Sequence, residues 1–395
     1  MAIFPVYTDV ADFLANASAA IETNSLVGGN ATLHAATAAG STSLVVDPVS
    51  SAYPVSGFST GQAWIFDGMQ SEIVTITNVN TGTATLTLAT GTQVAHDAGV
   101  NISSAGTSGC LARAIVDAGR KAEAYCRQGP PASSGIPGSA ATALSVAVAA
   151  GATSGTVVAG AGLAAGAALI LDGAQSERVT ISAVAGNTVT FASGCAYAHG
   201  SGATVTGVTN GDRFLYALPR VETYRLATMT AFIDSDTTLT LMPYHFPVAS
   251  VTSMALQLGT LTGNAVSLSA LTLPDEGRLI MVPYVSWANG NPQNQWIPNP
   301  LLRDPNIWLT LSYTAGPIAL ANSSVAQLLV VPDDIKRAVY YLTMSTLAYR
   351  SNPLGAASVR QGDTQRQYEL RGNQKQQSNL LIKEASDALD PYRRT

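Results

Sequence analysis

A ten-residue phrase is written twice in this chain, and the duplication limits what the chain can fold into. Asp67-Gly68-Met69-Gln70-Ser71-Glu72-Ile73-Val74-Thr75-Ile76 returns as Asp172-Gly173-Ala174-Gln175-Ser176-Glu177-Arg178-Val179-Thr180-Ile181. Each phrase lies inside a longer copy, residues 31–103 and 141–208. Before the phrase stands a hydrophobic strand, Ala63-Trp64-Ile65-Phe66 or Ala168-Leu169-Ile170-Leu171. Asp-Gly is a turn signal, because Gly accepts the positive φ that tight turns require. The next strand alternates, with Ile73 and Thr75 on one face and Val74 and Ile76 on the other. Short strands between Gly-rich turns predict two small all-β modules, each a barrel or a sandwich.

Outside the copies the pattern changes. A short helix is expected over Thr8–Ala17, with Thr8 as N-cap and Asp9 favouring the N-terminal dipole. A second is expected over Ser108–Gln128, striped by Leu111, Ala114, Ile115, Ala118, Ala122 and Tyr125, and stopped by Gly129-Pro130-Pro131. From Asp212 to Pro317 the signals are strands, the clearest alternating through Ile307, Leu309, Leu311 and Tyr313. A third helix opens at Pro332 and ends at Asn352-Pro353. A polar, Gln-rich arm (360–377) follows, then an amphipathic segment through Leu381, Ile382, Ala385 and Leu389. The duplicated modules therefore read as inserts on either side of the second helix.

Composition narrows the function classes. Charged residues make up only 11% of the chain and the net charge is −5. Residues 332–395 carry ten basic against seven acidic side chains, a local +3 that leaves −8 for the rest. Cys110, Cys126 and Cys195 form no CxxC pair, so neither a disulfide framework nor a zinc motif is expected. The start, Met1-Ala2-Ile3-Phe4-Pro5, lacks the basic and apolar regions of a signal peptide. The uncharged run between Arg127 and Asp172 is too rich in Ala, Gly and Pro to be expected to span a membrane.

The residual order resembles the head–tail connector (adaptor, or head-completion) proteins of tailed bacteriophages. The phrases that carry the likeness are Ser250-Val251-Thr252-Ser253, Leu311-Ser312-Tyr313-Thr314-Ala315-Gly316, Val331-Pro332-Asp333-Asp334-Ile335-Lys336-Arg337-Ala338 and Leu389-Asp390-Pro391-Tyr392-Arg393-Arg394. The resemblance covers about half of the chain, and the two β modules are a departure from it. It implies an α+β fold: a connector-type helical bundle with an antiparallel β element, plus the two duplicated small all-β inserts. The expected divisions are 1–30, 104–130, 209–330 and 331–395 for the connector parts, with 31–103 and 141–208 as the modules.

The same resemblance implies a virion protein of the neck, assembled in the host cytoplasm. It would form a homo-oligomeric ring, typically of twelve subunits, below the portal protein. Such a ring extends the DNA channel without sequence-specific contact and carries a stopper or tail-completion protein; the modules could reach the capsid. No enzyme activity, cofactor or metal is implied. The alternative is a tail or decoration protein that binds glycans or a host surface through its β modules.

The candidate portal-docking arm comprises Arg360, Arg366, Arg371, Lys375, Tyr392, Arg393 and Arg394. The repeated Asp67/Glu72 and Asp172/Glu177 are expected to serve turn chemistry and solvent rather than acid–base catalysis. His96 and His199 occupy matching positions and suggest a shared structural hydrogen bond, while His34 and His245 stand alone. Metal ligation at the matched pair would need further ligands nearby.

Overall fold

A computed structural model describes residues 4–17, 26–107, 110–126, 141–207, 215–225, 231–234, 238–258, 264–265, 268–269, 271–283, 307–321, 328–351, 358–361, 364–367 and 371–393. Among the described residues the protein is mostly β, with 40% strand against 25% helix and five helices. This overturns the expected helical bundle with a modest β element. The duplicated segments and the region after residue 212 spend their residues on sheets, leaving few for helices.

The first module is a closed barrel. Its strands are β1 (Val27–Leu33), β2 (Ser43–Pro48), β3 (Gly61–Phe66), β4 (Glu72–Asn80), β5 (Thr85–Leu88) and β6 (Asn101–Ala105), in the order β1-β2-β5-β4-β3-β6. The second repeats the pattern with β7 (Ala141–Ala143), β8 (Ser154–Thr156), β9 (Gly166–Leu171), β10 (Glu177–Ala185), β11 (Thr188–Phe191) and β12 (Thr204–Gly207). Its seam is open: β7 and β8 are short, and a lone Leu144–Val157 bridge stands where β1 and β2 form a ladder. Both copies bulge at the same place, after Ile76 and after Ile181. The bulged Thr77 and Ser182 hydroxyls donate to Thr87 O and Thr190 O, satisfying carbonyls beside the disrupted ladder.

The modules do not project from the helices. Ala63 and Ile65 fill the barrel, whereas Trp64 and Phe66 point the other way into a central core. In the second copy Ala168 and Ile170 fill the module, and Leu169 and Leu171 join the same central core. Strands β3 and β9 are thus buried on both faces, which explains their unbroken hydrophobic runs. That core also holds Val10 and Phe13 of α1 (Val10–Ala17) and Leu111, Ile115 and Ala118 of α2 (Leu111–Cys126).

Helix α1 is capped by Asp9 rather than Thr8. The Asp12 amide donates to Asp9 Oδ1 at 2.7 Å, while the Thr8 hydroxyl bonds Asp12 Oδ2. At the start of α2 the Leu111 amide donates to Leu26 O at 3.0 Å, and the Arg113 amide donates to Cys110 Sγ. Tyr7 lies against Gly119 of α2, stacks on Tyr216 at 5.4 Å and donates its hydroxyl proton to buried Glu123. Burial, then the Glu123 charge, hold the Tyr7 hydroxyl well above the ordinary tyrosine range, so it stays a donor. Tyr7→Phe removes that donor and is expected to cost about 1–3 kcal/mol in urea denaturation; an unchanged midpoint would contradict this role.

After the second module come β13 (Leu218–Arg225), β14 (Ala231–Asp234), β15 (Thr238–Leu241), β16 (Val248–Leu258), β17 (Asn264–Ala265), β18 (Ile280–Pro283) and β19 (Ile307–Ala315). They make a sheet β13-β19-β16-β17 and a smaller sheet β14-β15-β18. One-turn α3 (Pro274–Gly277) has left-handed Asp275 and Glu276. Helix α4 (Asp333–Ser351) and helix α5 (Arg371–Leu389) complete the central core through Ile335, Ala338, Val339, Ala385 and Leu389. Helix α5 begins well before the expected amphipathic segment. Its Gln, Lys and Asn residues are tolerable helix formers without an apolar stripe, so periodicity finds only its second half. Between α4 and α5 lies a hairpin, β20 (Ser358–Gln361) and β21 (Thr364–Gln367), paired with no other strand among the described residues.

Candidate functional site

The repeated phrase builds the same side-chain centre twice. After β3 and β9 the chain turns through Gly68–Gln70 and Gly173–Gln175, with Gly68 and Gly173 at φ 51° and 52°. These values lie in the left-handed region that favours glycine. The Ser71 and Ser176 hydroxyls each accept from the amide of the preceding Asp, Asp67 or Asp172, at 2.7 and 2.9 Å. Each also donates to the turn glycine's carbonyl. The turn therefore fixes the Asp at one end and delivers Glu72 or Glu177 to the start of the next strand.

The histidine arrives from a distant loop. Gly91 and Gly194 let that loop approach Gly40 and Gly151 closely; a Cβ there would stand 2.3 and 2.5 Å from their carbonyl oxygens. A two-way backbone bridge, His96 with Thr37 and His199 with Val148, then holds each histidine in place. His96 Nδ1 meets Asp67 Oδ2 at 2.5 Å and its Nε2 meets Glu72 Oε1 at 2.7 Å. His199 Nδ1 meets Asp172 Oδ2 at 3.3 Å and its Nε2 meets Glu177 Oε1 at 2.7 Å. The Gln93 amide donates to Glu72, and the Ala196 and Tyr197 amides donate to Glu177.

Glu72 is 1% exposed, and Asp67 is buried with it. The expectation that Glu72 and Glu177 face solvent is therefore corrected: both are buried, and Glu72 shares the inward face of β4 with Val74 and Ile76. Burial opposes a charge on His96, but hydrogen bonds to Asp67 and Glu72 and their charges outweigh it and raise the imidazole to about 9. An imidazolium with both N–H groups donated has no lone pair with which to accept a proton. In the first module the centre acts as an ionic clamp joining turn, strand and loop.

His34 and His245 do not stand alone either. His34 Nδ1 lies 2.9 Å from Asp47 on the surface. His245 Nδ1 lies 2.5 Å from Glu222, which also accepts from the Tyr313 hydroxyl at 2.7 Å. Burial works against the Glu222 charge, yet His245, Tyr313 and the Arg220 charge prevail and lower its carboxyl below the usual range. All these carboxylate–histidine pairs join residues 13 to 29 apart.

Between the modules lies a cleft of about 310 Å³ onto which both Asp-Gly turns open. Asp67, Asp97 and Asp172 supply its polar wall, and Met69, Leu171 and Leu320 its apolar one. Val94 of the first module packs on Ala141 of the second nearby.

The candidate docking residues are spread out. Arg360 stands opposite Gln365 in the β20–β21 hairpin, and Arg366 opposite Val359. Arg371 and Lys375 lie in the first turns of α5, and Arg394 lies outside the described residues. Tyr392 and Arg393 bind the chain's own core: the Tyr392 hydroxyl donates to Asp334 at 3.0 Å and Arg393 lies 5.2 Å over the Tyr125 ring. The grouping missed Asp334 and Tyr125, whose aromatic and acidic character gave no positional cue. It also missed Cys195, which the fold places beside Glu177 and His199; its spacing, four residues before His199, was visible in the sequence.

No protein-family model matches the sequence, and no curated protein matches it.

Proposed function

We propose that this protein is a structural ring component of a tailed-phage neck, seated below the portal and joining capsid to tail. The observation that supports this reading is how the phrases behind the connector resemblance meet. Ser250 pairs with Thr314, Val251 with Tyr313 and Ser253 with Ser312, so two of the phrases are cross-strand partners. The other two meet through the Tyr392–Asp334 hydrogen bond. Helix α1 joins them, because Phe13 packs edge-on against Tyr340 and Asp12 accepts from the Tyr340 hydroxyl. The two groups are linked by β13, whose Leu218 pairs with Ala315 and lies in the same core as Ile335 and Leu389, so segments far apart in the chain form one connected body.

Ring assembly by this body needs heterologous side-to-side contacts that close by rotation. In this reading the β20–β21 hairpin is the docking element, since its strands leave their outer edges unpaired among the described residues. The purified protein is expected to be monomeric or weakly associated and to form rings only on portal. Native mass spectrometry and cryo-electron microscopy with isolated portal rings check this. Failure to bind portal, together with glycan binding by the β modules, would replace the reading with the tail or decoration alternative.

A further inference from the structure

We propose that the second module holds a divalent transition metal, zinc by its donor chemistry, on Cys195 Sγ, His199 Nε2 and the Glu177 carboxylate. One ligand atom from each residue already lies within 4.8 Å of those of the other two, and all three residues are buried. A tetrahedral shell with bonds of about 2.0–2.3 Å brings its ligands to roughly 3.5 Å apart. The rearrangement needed is at most about 1.3 Å at the thiol and about 0.8 Å between Glu177 and His199, which now stand 2.7 Å apart. Sulfur, imidazole and carboxylate together suit zinc rather than calcium or magnesium, which prefer all-oxygen sites. Water would complete the fourth position.

The surroundings match those of a metal-bound histidine. Asp172 Oδ2 stands 3.3 Å from His199 Nδ1, the ring nitrogen that does not meet Glu177. With the Nδ1 proton donated to Asp172, the Nε2 lone pair is left on the side of Glu177, free for a metal. Glu177 is steadied by the Ala196 and Tyr197 amides, so a ligating carboxylate would keep its supporting hydrogen bonds.

The first module is an internal control. It has the same two carboxylates and histidine, but Thr92 takes the place of Cys195, and the Thr92 hydroxyl donates to Ala38 O. There Asp67 closes to 2.5 Å on His96 and its side chain is only 1% exposed. In the second copy the Asp172 side chain is 31% exposed and stands farther off, on the wall of the inter-module cleft. One copy is closed as an ion pair, and the other carries the thiol and the looser geometry that a metal needs.

Cobalt(II) titration of the reduced, full-length protein tests the assignment. One equivalent is expected to bind with a thiolate-to-cobalt charge-transfer band in the near ultraviolet. Cys195→Thr, which copies the first module, should abolish the band while circular dichroism shows a folded protein. Cys110→Ala and Cys126→Ala should keep it. Asp172→Asn should retain the band and weaken cobalt binding about 10–100-fold, as loss of a histidine-orienting carboxylate does. Absence of the band in the parent protein, or its survival in Cys195→Thr, overturns the proposal. Should Cys195→Thr not fold, Cys195→Ser decides: a tetrahedral thiolate band persisting there rejects the site.

Discussion

His96→Leu is expected to lower the stability of the first module by about 3–5 kcal/mol, the scale for breaking a buried ion pair by removing one partner. Asp67 and Glu72 would be left facing an apolar side chain with the water excluded. The parent protein should also show a pH dependence that the variant lacks. His96 is raised from 6.5 to about 9 on folding. Its stabilising contribution is therefore complete below pH 6.5 and is lost as pH rises through 9. The loss is on the order of 3 kcal/mol. Because the protein has several cores, hydrogen exchange at the amides of β3 and β4 is the appropriate local readout. A flat profile between pH 6.5 and 9 in the parent protein would falsify an imidazolium at this position.

The second large effect concerns the C-terminal segment. Truncation after Gln361 removes all of α5, and with it the buried Ala385, Ala388 and Leu389. Leu389 alone accounts for about 1.5–3 kcal/mol of apolar burial. The Tyr125–Asp390 and Tyr392–Asp334 hydrogen bonds go with it. The truncated chain is expected to lose at least about 3 kcal/mol and to become protease-sensitive, so it cannot serve as a clean test of docking. Excision of 358–367 can. Ser358 stands opposite Gln367 in register, so the two ends of the hairpin lie about 5 Å apart and a short Gly linker can take its place. This excision should change stability by less than about 1 kcal/mol and abolish portal binding. Retained portal binding would remove the hairpin from the proposed interface, and a truncated chain as stable as its parent would contradict the place of α5 in the core.

Local pattern was legible where one physical cause decided the outcome. The Asp-Gly turns, the alternation in β4 and the Pro-led start of α4 all follow from backbone preference over a few residues. The inward position of Glu72 was readable in principle, because it is in phase with Val74 and Ile76. Its partner was not, since His96 lies 24 residues away and no periodicity links a loop histidine to a strand glutamate. The run Ala63-Trp64-Ile65-Phe66 announced a strand but hid its consequence. A strand apolar on both faces needs two cores, and the second belongs to helices elsewhere in the chain.

The doubled β unit, the places of its turns and the residues common to both copies are all readable along the chain. Turn geometry and strand alternation are short-range effects, carried wherever the phrase is carried. Closure came from tertiary packing: one copy closes into a barrel and ion-pairs its buried histidine, while the other stays open at its seam with a thiol beside the same constellation. Tertiary packing also decided that both copies share a core with the helices they interrupt. Burial is a property of the assembled surface, and a chain acquires it only when distant segments exclude water together.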